Sequence, residues 1–214
     1  MTGHLKMAKL DFFTMKSQLA TYLSLAAIVL LFGFMGSSVT VLCVTGAWFV
    51  ALMSSNIFSI QEKNNLNRLY GSVSVKLKDV VLGRYIFTFL NYIISFFVII
   101  VIYAAFALFQ NKSLEVSDFI LGFSLSLLVY SLITGIQMPM FFKMGYTKAK
   151  VWSLIPFIGV MAVVVIPSFV SGLSSIMQFL TSNRSVLIVC GILASCIIQY
   201  VSYRVSIIAY RKRT

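Results

Sequence analysis

Charge is what this sequence has least of. Asp, Glu, Lys and Arg make up only 10% of the 214 residues, against roughly 25% in soluble domains. Acids are scarcest: Asp11, Glu62, Asp79, Glu115 and Asp118 are the whole set. None falls in the middle of an apolar run, so the intramembrane carboxylate relay of a proton-driven pump is missing. His4 is the single histidine, which leaves no His–acid cluster for a metal and no intramembrane metalloprotease chemistry. The three cysteines, Cys43, Cys190 and Cys196, lie in apolar runs without C-x-x-C spacing; they read as small buried side chains, not as a zinc or redox motif. No G-x-x-x-x-G-K-[ST] occurs, so this chain does not cradle nucleotide phosphates as a P-loop does, and it is not expected to be an enzyme. A T-V-G-Y-G cation filter is absent too, as is any visible repeat or inverted repeat.

What is there is apolar. Hydrophobic residues make up 60% of the chain, and its mean hydropathy is +0.98. The apolar runs are about twice the roughly ten residues of a transmembrane strand and do not alternate. The expected fold is therefore all-α: one polytopic membrane domain over 1–214 with about six transmembrane helices. The predicted spans are Leu19–Met35, Val39–Ile60, Tyr85–Phe109, Phe119–Phe142, Val151–Val170 and Val186–Ile208. Gly36-Ser37-Ser38 forms a short uncharged connector, and 171–184 is a less apolar helical or re-entrant segment on the outside. Pro156 and Pro167 should kink the fifth span. No cleavable signal peptide is evident at the start.

The net charge is +12, but the cations come in short pieces between apolar runs. That pattern argues for juxtamembrane residues and against nucleic acid. Fifteen of the seventeen Lys and Arg fall in the lead-in, the 61–84 stretch, the 143–150 turn and the end of the last span with its tail. Only Lys112 and Arg184 fall on the other side. The positive-inside rule then puts both termini and both basic connectors in the cytoplasm, which an even span count satisfies. Residues 1–17 carry an apolar stripe (Leu5, Ala8, Phe12, Met15, continued by Leu19) beside lysines. They form either a helix on the anionic lipid of the inner leaflet or an extension of the first span.

The one long polar stretch is Gln61–Arg84, QEKNNLNRLYGSVSVKLKDVVLGR, with seven of the twenty-two charged residues. Leu66, Leu69 or Tyr70, Val73, Leu77 and Val80 or Val81 keep helical spacing. Asn64 or Asn65 is placed to cap its start, and Gly71-Ser72 to divide it. Lys76, Lys78 and Asp79 then head a second helix that leads through Gly83-Arg84-Tyr85 into the third span. An amphipathic helix joined to two spans and open to the cytosol is a lever, and it is where an external energy source would attach. The other reading is a lipid-surface helix with no partner. Elsewhere, Asn91, Gln137 and Gln199 are amides within spans, candidates for lining a pathway or for helix–helix hydrogen bonds. Arg204 near the inner end of the last span is expected to snorkel to lipid phosphates.

From Arg68 to Tyr85 the stretch resembles the cytoplasmic loop of type-2 ABC transporter permeases, closest over Lys78-Asp79-Val80-Val81-Leu82-Gly83-Arg84-Tyr85. Ser74 stands where that family often has proline, and Lys76-Leu77 where it has Ser-Arg. Pro139-Met140-Phe141-Phe142-Lys143-Met144-Gly145-Tyr146-Thr147-Lys148-Ala149-Lys150 is similar to the family's segment after the fourth span. The resemblance implies a half-transporter in the bacterial plasma membrane, a homodimer or a heterodimer with a related permease. It implies a separate cytosolic ATP-binding subunit that holds ATP and Mg, with no cofactor in this chain. The loop would be the coupling helix, with Glu62, Lys63, Arg68, Tyr70, Lys76, Lys78, Asp79 and Arg84 as docking residues. The implied cargo is hydrophobic or amphipathic peptide for export, with lipids or drugs in other members. Two other functions stay open: a non-transporting immunity or assembly protein, and, against the acid-free spans, an ion-coupled carrier.

Overall fold

The computed structural model describes residue 11 and residues 19–64, 76–110, 115–165 and 183–213. Among them are seven helices and no strand: α1 Leu19–Phe34, α2 Val39–Lys63, α3 Leu77–Phe109, α4 Val116–Met144, α5 Tyr146–Trp152, α6 Ile155–Val165 and α7 Arg184–Arg211. Four of these, α2, α3, α4 and α7, are long and apolar enough to cross a membrane. The 16 described residues of α1, about 24 Å long, coincide with the first predicted span.

Helix boundaries follow local chemistry. The connector before α2 turns on Gly36, at φ 74°, and Ser38 caps the helix by accepting from the Val41 N–H at 3.5 Å. Asn64 lies after the last turn of α2, its N–H on the Ile60 carbonyl; Asn65, the other expected cap, and the stretch that either would begin lie outside the described residues. The predicted fifth span is corrected. The helix breaks at Ser153 and Leu154, so α5 and α6 are separate and Val151 belongs to α5. Pro156 sits in the first turn of α6, where its missing N–H leaves no bond unmade. Pro139, by contrast, is inside α4. The amphipathic lead-in apart from Asp11, the loop 65–75, Pro167 and the 171–182 segment lie outside the described residues.

α4 is the axis of the bundle. It packs most extensively on α7 and α2, and it also touches α3, α5 and α6. The α4–α7 seam works because α7 buries mainly small residues: Gly191, Ser195, Ser202, Ser206 and Ala209. A Cβ on Gly191 would lie 2.5 Å from the Ser124 Oγ, so the backbones approach where a larger side chain would not fit. Ser124 uses that proximity to donate to the Ile188 carbonyl at 2.9 Å. The opposite face of α7 exposes Leu193, Ile197, Val201 and Val205, and α3 exposes Leu90, Ile94, Phe97 and Val101. Small polar residues inside with large apolar ones outside are the arrangement a hydrocarbon solvent permits, since lipid is as apolar as leucine. Asp118 and Arg184, paired at 3.2 Å, and Gln110 near the Gly33 carbonyl mark one end of the bundle. The last turns of α2, α4 and α7 and the head of α3 meet at the other.

Candidate functional site at the basic end of the bundle

Every described Lys and Arg except Arg184 lies at or toward that second end. α3 begins there at Leu77 and runs unbroken to Phe109, as the lever reading expects of its second helix. Its 33 residues are about 50 Å long. A hydrocarbon core of roughly 30 Å therefore leaves about 20 Å of rigid rod outside it. Lys76 precedes the helix without a side-chain cap, and Asp79 in the first turn complements the helix dipole. Lys76 and Lys78 are exposed; Leu77 and Asp79 are half-buried.

The head of α3 is fixed to its neighbours by an apolar cluster. Val80 and Val81 pack with Phe58, Met138, Phe141, Phe142, Ala149 and Tyr210, bringing α2, α4, α5 and α7 together. Phe58 stacks on Phe141 at 4.9 Å and meets Phe142 edge-on at 5.1 Å. Above the Phe58 ring, 4.9 Å from its centroid, lies the Arg84 guanidinium, entirely buried. Its Nε is 2.9 Å from the Asp11 carboxylate. Both Nη atoms lack a hydrogen-bond partner among the described residues. Burial pushes the Asp11 carboxyl up from its ordinary value, and the Arg84 guanidinium beside it pulls the other way. One carboxylate from the lead-in and one aromatic face thus hold a charge that would otherwise be uncompensated in the interior.

A second fastening joins the two basic connectors. The α4–α5 turn passes through Gly145 at φ 80°, ψ 173°, a conformation essentially restricted to glycine. Gly145 has no side chain to cap α5, and Glu62 at the end of α2 supplies the missing acceptor. Its Oε2 accepts from the Tyr146 N–H at 2.6 Å and the Thr147 N–H at 3.2 Å. Its Oε1 accepts from the Thr147 hydroxyl. Arg213, beyond α7, donates to the Phe141 carbonyl at 3.4 Å and closes over Gly145.

Of the residues singled out for docking, Lys63, Lys76 and Lys78 are exposed at this end and Asp79 lies beside them. Glu62 and Arg84 are engaged inside the chain. Arg68 and Tyr70 lie outside the described residues. The three amides lie within the helices, and Gln199 contacts α4 one turn from Gln137. Asn91 is half-buried on α3, beside a small cavity against α1. Gln137 is buried and accepts from the Ser54 hydroxyl at 3.4 Å, and Gln199 donates to the Thr134 hydroxyl at 2.8 Å. Sequence reasoning passed over Asp11, Gly145, Thr147 and Arg213. Asp11 did carry a signal, as the only acid of a basic lead-in.

Among the described residues no group of three or more His, Cys, Asp or Glu is placed to hold a metal. What the arrangement does show is mechanical. It ties a long rod, a lead-in carboxylate, a second connector and the tail into one unit with exposed cations. Neither a curated protein nor a solved structure matches the chain. The family model described as ABC-2 family transporter protein matches residues 6–211. A match over nearly the whole chain settles its kinship: this protein belongs to the ABC-2 family, as a membrane component of ABC transport.

Proposed function

We propose that the chain is the permease subunit of an ATP-driven exporter of hydrophobic or amphipathic peptides in the plasma membrane. It works as a homodimer or with a related permease. The proposed topology has six spans and cytoplasmic termini, with α1 and the α6 region completing the four long helices. A cytosolic ATP-binding subunit, which holds ATP and Mg, docks at the basic end against Lys63, Lys76, Lys78 and Asp79 and the loop between them. Anionic headgroups of the inner leaflet neutralise the remaining cations.

The observation that carries this reading is the continuity of α3. A push on Lys76 or Lys78 is delivered to a helix that runs through the membrane without a break. The cluster around Phe58, Phe141 and Tyr210 makes α2, α4 and α7 move with it. Glu62 and Arg84 serve here as internal fasteners, so docking falls to the exposed cations. The experiment is reconstitution of the chain with its ATPase in vesicles. Lys76→Glu combined with Lys78→Glu is expected to lower ATP-dependent transport at least tenfold while insertion is unchanged. Coupled transport at the wild-type rate in that variant refutes the docking assignment. Failure of any ATPase to co-purify with the wild-type chain would turn the reading toward a non-transporting membrane protein.

A further inference from the structure

Away from the basic end, α3 and α7 diverge above the hydrogen bonds that Tyr85 makes with Ser202 and Ser206 at 2.5 and 2.8 Å. They leave a crevice of about 300 Å³ floored by α4, at the small end of the roughly 300–1,000 Å³ range of ligand sites. Ile86 and Phe89 form one wall, Ser195, Cys196 and Gln199 the other, and Leu127 and Ser131 the floor.

Ser131 is the anomaly. It is fully buried, yet its hydroxyl has no hydrogen-bond partner among the described residues. The neighbouring hydroxyls of α4 are all satisfied: Ser124 on the Ile188 carbonyl, Ser126 on Phe123 and Thr134 on Tyr130. An open hydroxyl in a medium without water is costly. The Gln199 amide lines the same crevice and spends its Nε2 on Thr134, which leaves its oxygen to serve as an acceptor. One donor–acceptor and one acceptor therefore meet in an otherwise apolar slot.

Depth selects the occupant. Ser131 lies 15 residues from the start of α4 and 13 from its end, about 20 Å from either. A phosphate or carboxylate headgroup does not reach that depth cheaply, and no charged side chain lines the slot to receive one. We propose that the crevice binds an uncharged lipid alcohol of the bilayer. Its chain lies between Phe89 and Cys196, and its hydroxyl donates to the Gln199 oxygen and pairs with the Ser131 hydroxyl. This inference requires only that the chain lies in a bilayer; it does not depend on coupling to an ATPase.

The test uses the full chain in phosphatidylcholine nanodiscs and a diazirine-bearing long-chain fatty alcohol, with crosslinked peptides mapped by mass spectrometry. The expected result is labelling around Phe89, Leu127 and Cys196 that unlabelled fatty alcohol displaces. The same probe ending in a carboxylate should give no displaceable labelling there. Ser131→Ala, which keeps the space and removes the hydroxyl, should raise the competitor concentration needed about fivefold, the loss of one net hydrogen bond. Labelling that is not displaced, or that spreads equally over Leu193 and Val201 on the outer face of α7, overturns the site. Unchanged competition in Ser131→Ala overturns the role of the hydroxyl and with it the choice of an alcohol.

Discussion

Removing the Asp11 carboxylate tests the energetic core of the basic end. Asp11 and Arg84 are both buried, their side chains 2% and 0% exposed, at 2.9 Å. At an effective dielectric near 20, two unit charges at that distance attract by about 6 kcal/mol. Desolvation of each ion, several kcal/mol, offsets most of this. Asp11→Leu leaves the desolvation of Arg84 in place and takes the attraction away. The Phe58 ring retains part of the compensation, on the order of 2 kcal/mol for a desolvated cation–π contact. The expected loss is about 3–5 kcal/mol, a large share of a typical 5–15 kcal/mol total. Arg84→Met alone strands the carboxylate and should cost a similar amount. Asp11→Leu combined with Arg84→Met strands neither, and should match the wild type or exceed it by up to about 4 kcal/mol. Reversible unfolding in mixed micelles by a denaturing detergent, followed by circular dichroism, reads all four proteins as a double-mutant cycle. Single variants within about 0.5 kcal/mol of wild type, or effects that simply add, would show that the pair does not carry the energy assigned to it.

Three smaller perturbations follow from the same geometry. Gly145→Ala places a Cβ where φ is 80° and ψ 173°, against the Arg213 guanidinium at 2.7 Å; the expected cost is about 1–3 kcal/mol in the same unfolding assay. Glu62→Gln keeps an acceptor for the N–H groups of Tyr146 and Thr147 but loses the charge. It should weaken the clasp by about 1 kcal/mol, seen as a lower disulfide yield in a reporter carrying Lys63→Cys and Lys148→Cys. Tyr85→Phe deletes two hydroxyl contacts between α3 and α7. At roughly 0.6 kcal/mol each for membrane hydrogen bonds, about 1 kcal/mol of stability should go with them.

The sequence alone determined the class of the molecule. Apolar runs of twenty residues, bounded by cations and free of central acids, leave few structures other than membrane helices, because unpaired backbone groups are too costly in lipid. The extents of α2, α3, α4 and α7 were legible for that reason, as was the grouping of basic connectors at one end. The unbroken entry into α3 was legible too, since Leu77 to Arg84 keep helical spacing straight into the third apolar run. Tertiary structure decided which partners the described polar residues meet there. Arg84 and Glu62 read as solvated charges in one dimension, for a charge in a polar stretch is normally wet. In three dimensions Arg84 lies over Phe58 against Asp11, seventy-three positions away in the chain, and Glu62 caps a helix eighty-four positions on. Buried charge is rescued only by a partner at contact distance, and folding alone brings such distant partners together. The break at Ser153 and the crevice beside Ser131 were hidden for the same reason: composition records how apolar a segment is, and packing decides where it bends and what it leaves unfilled.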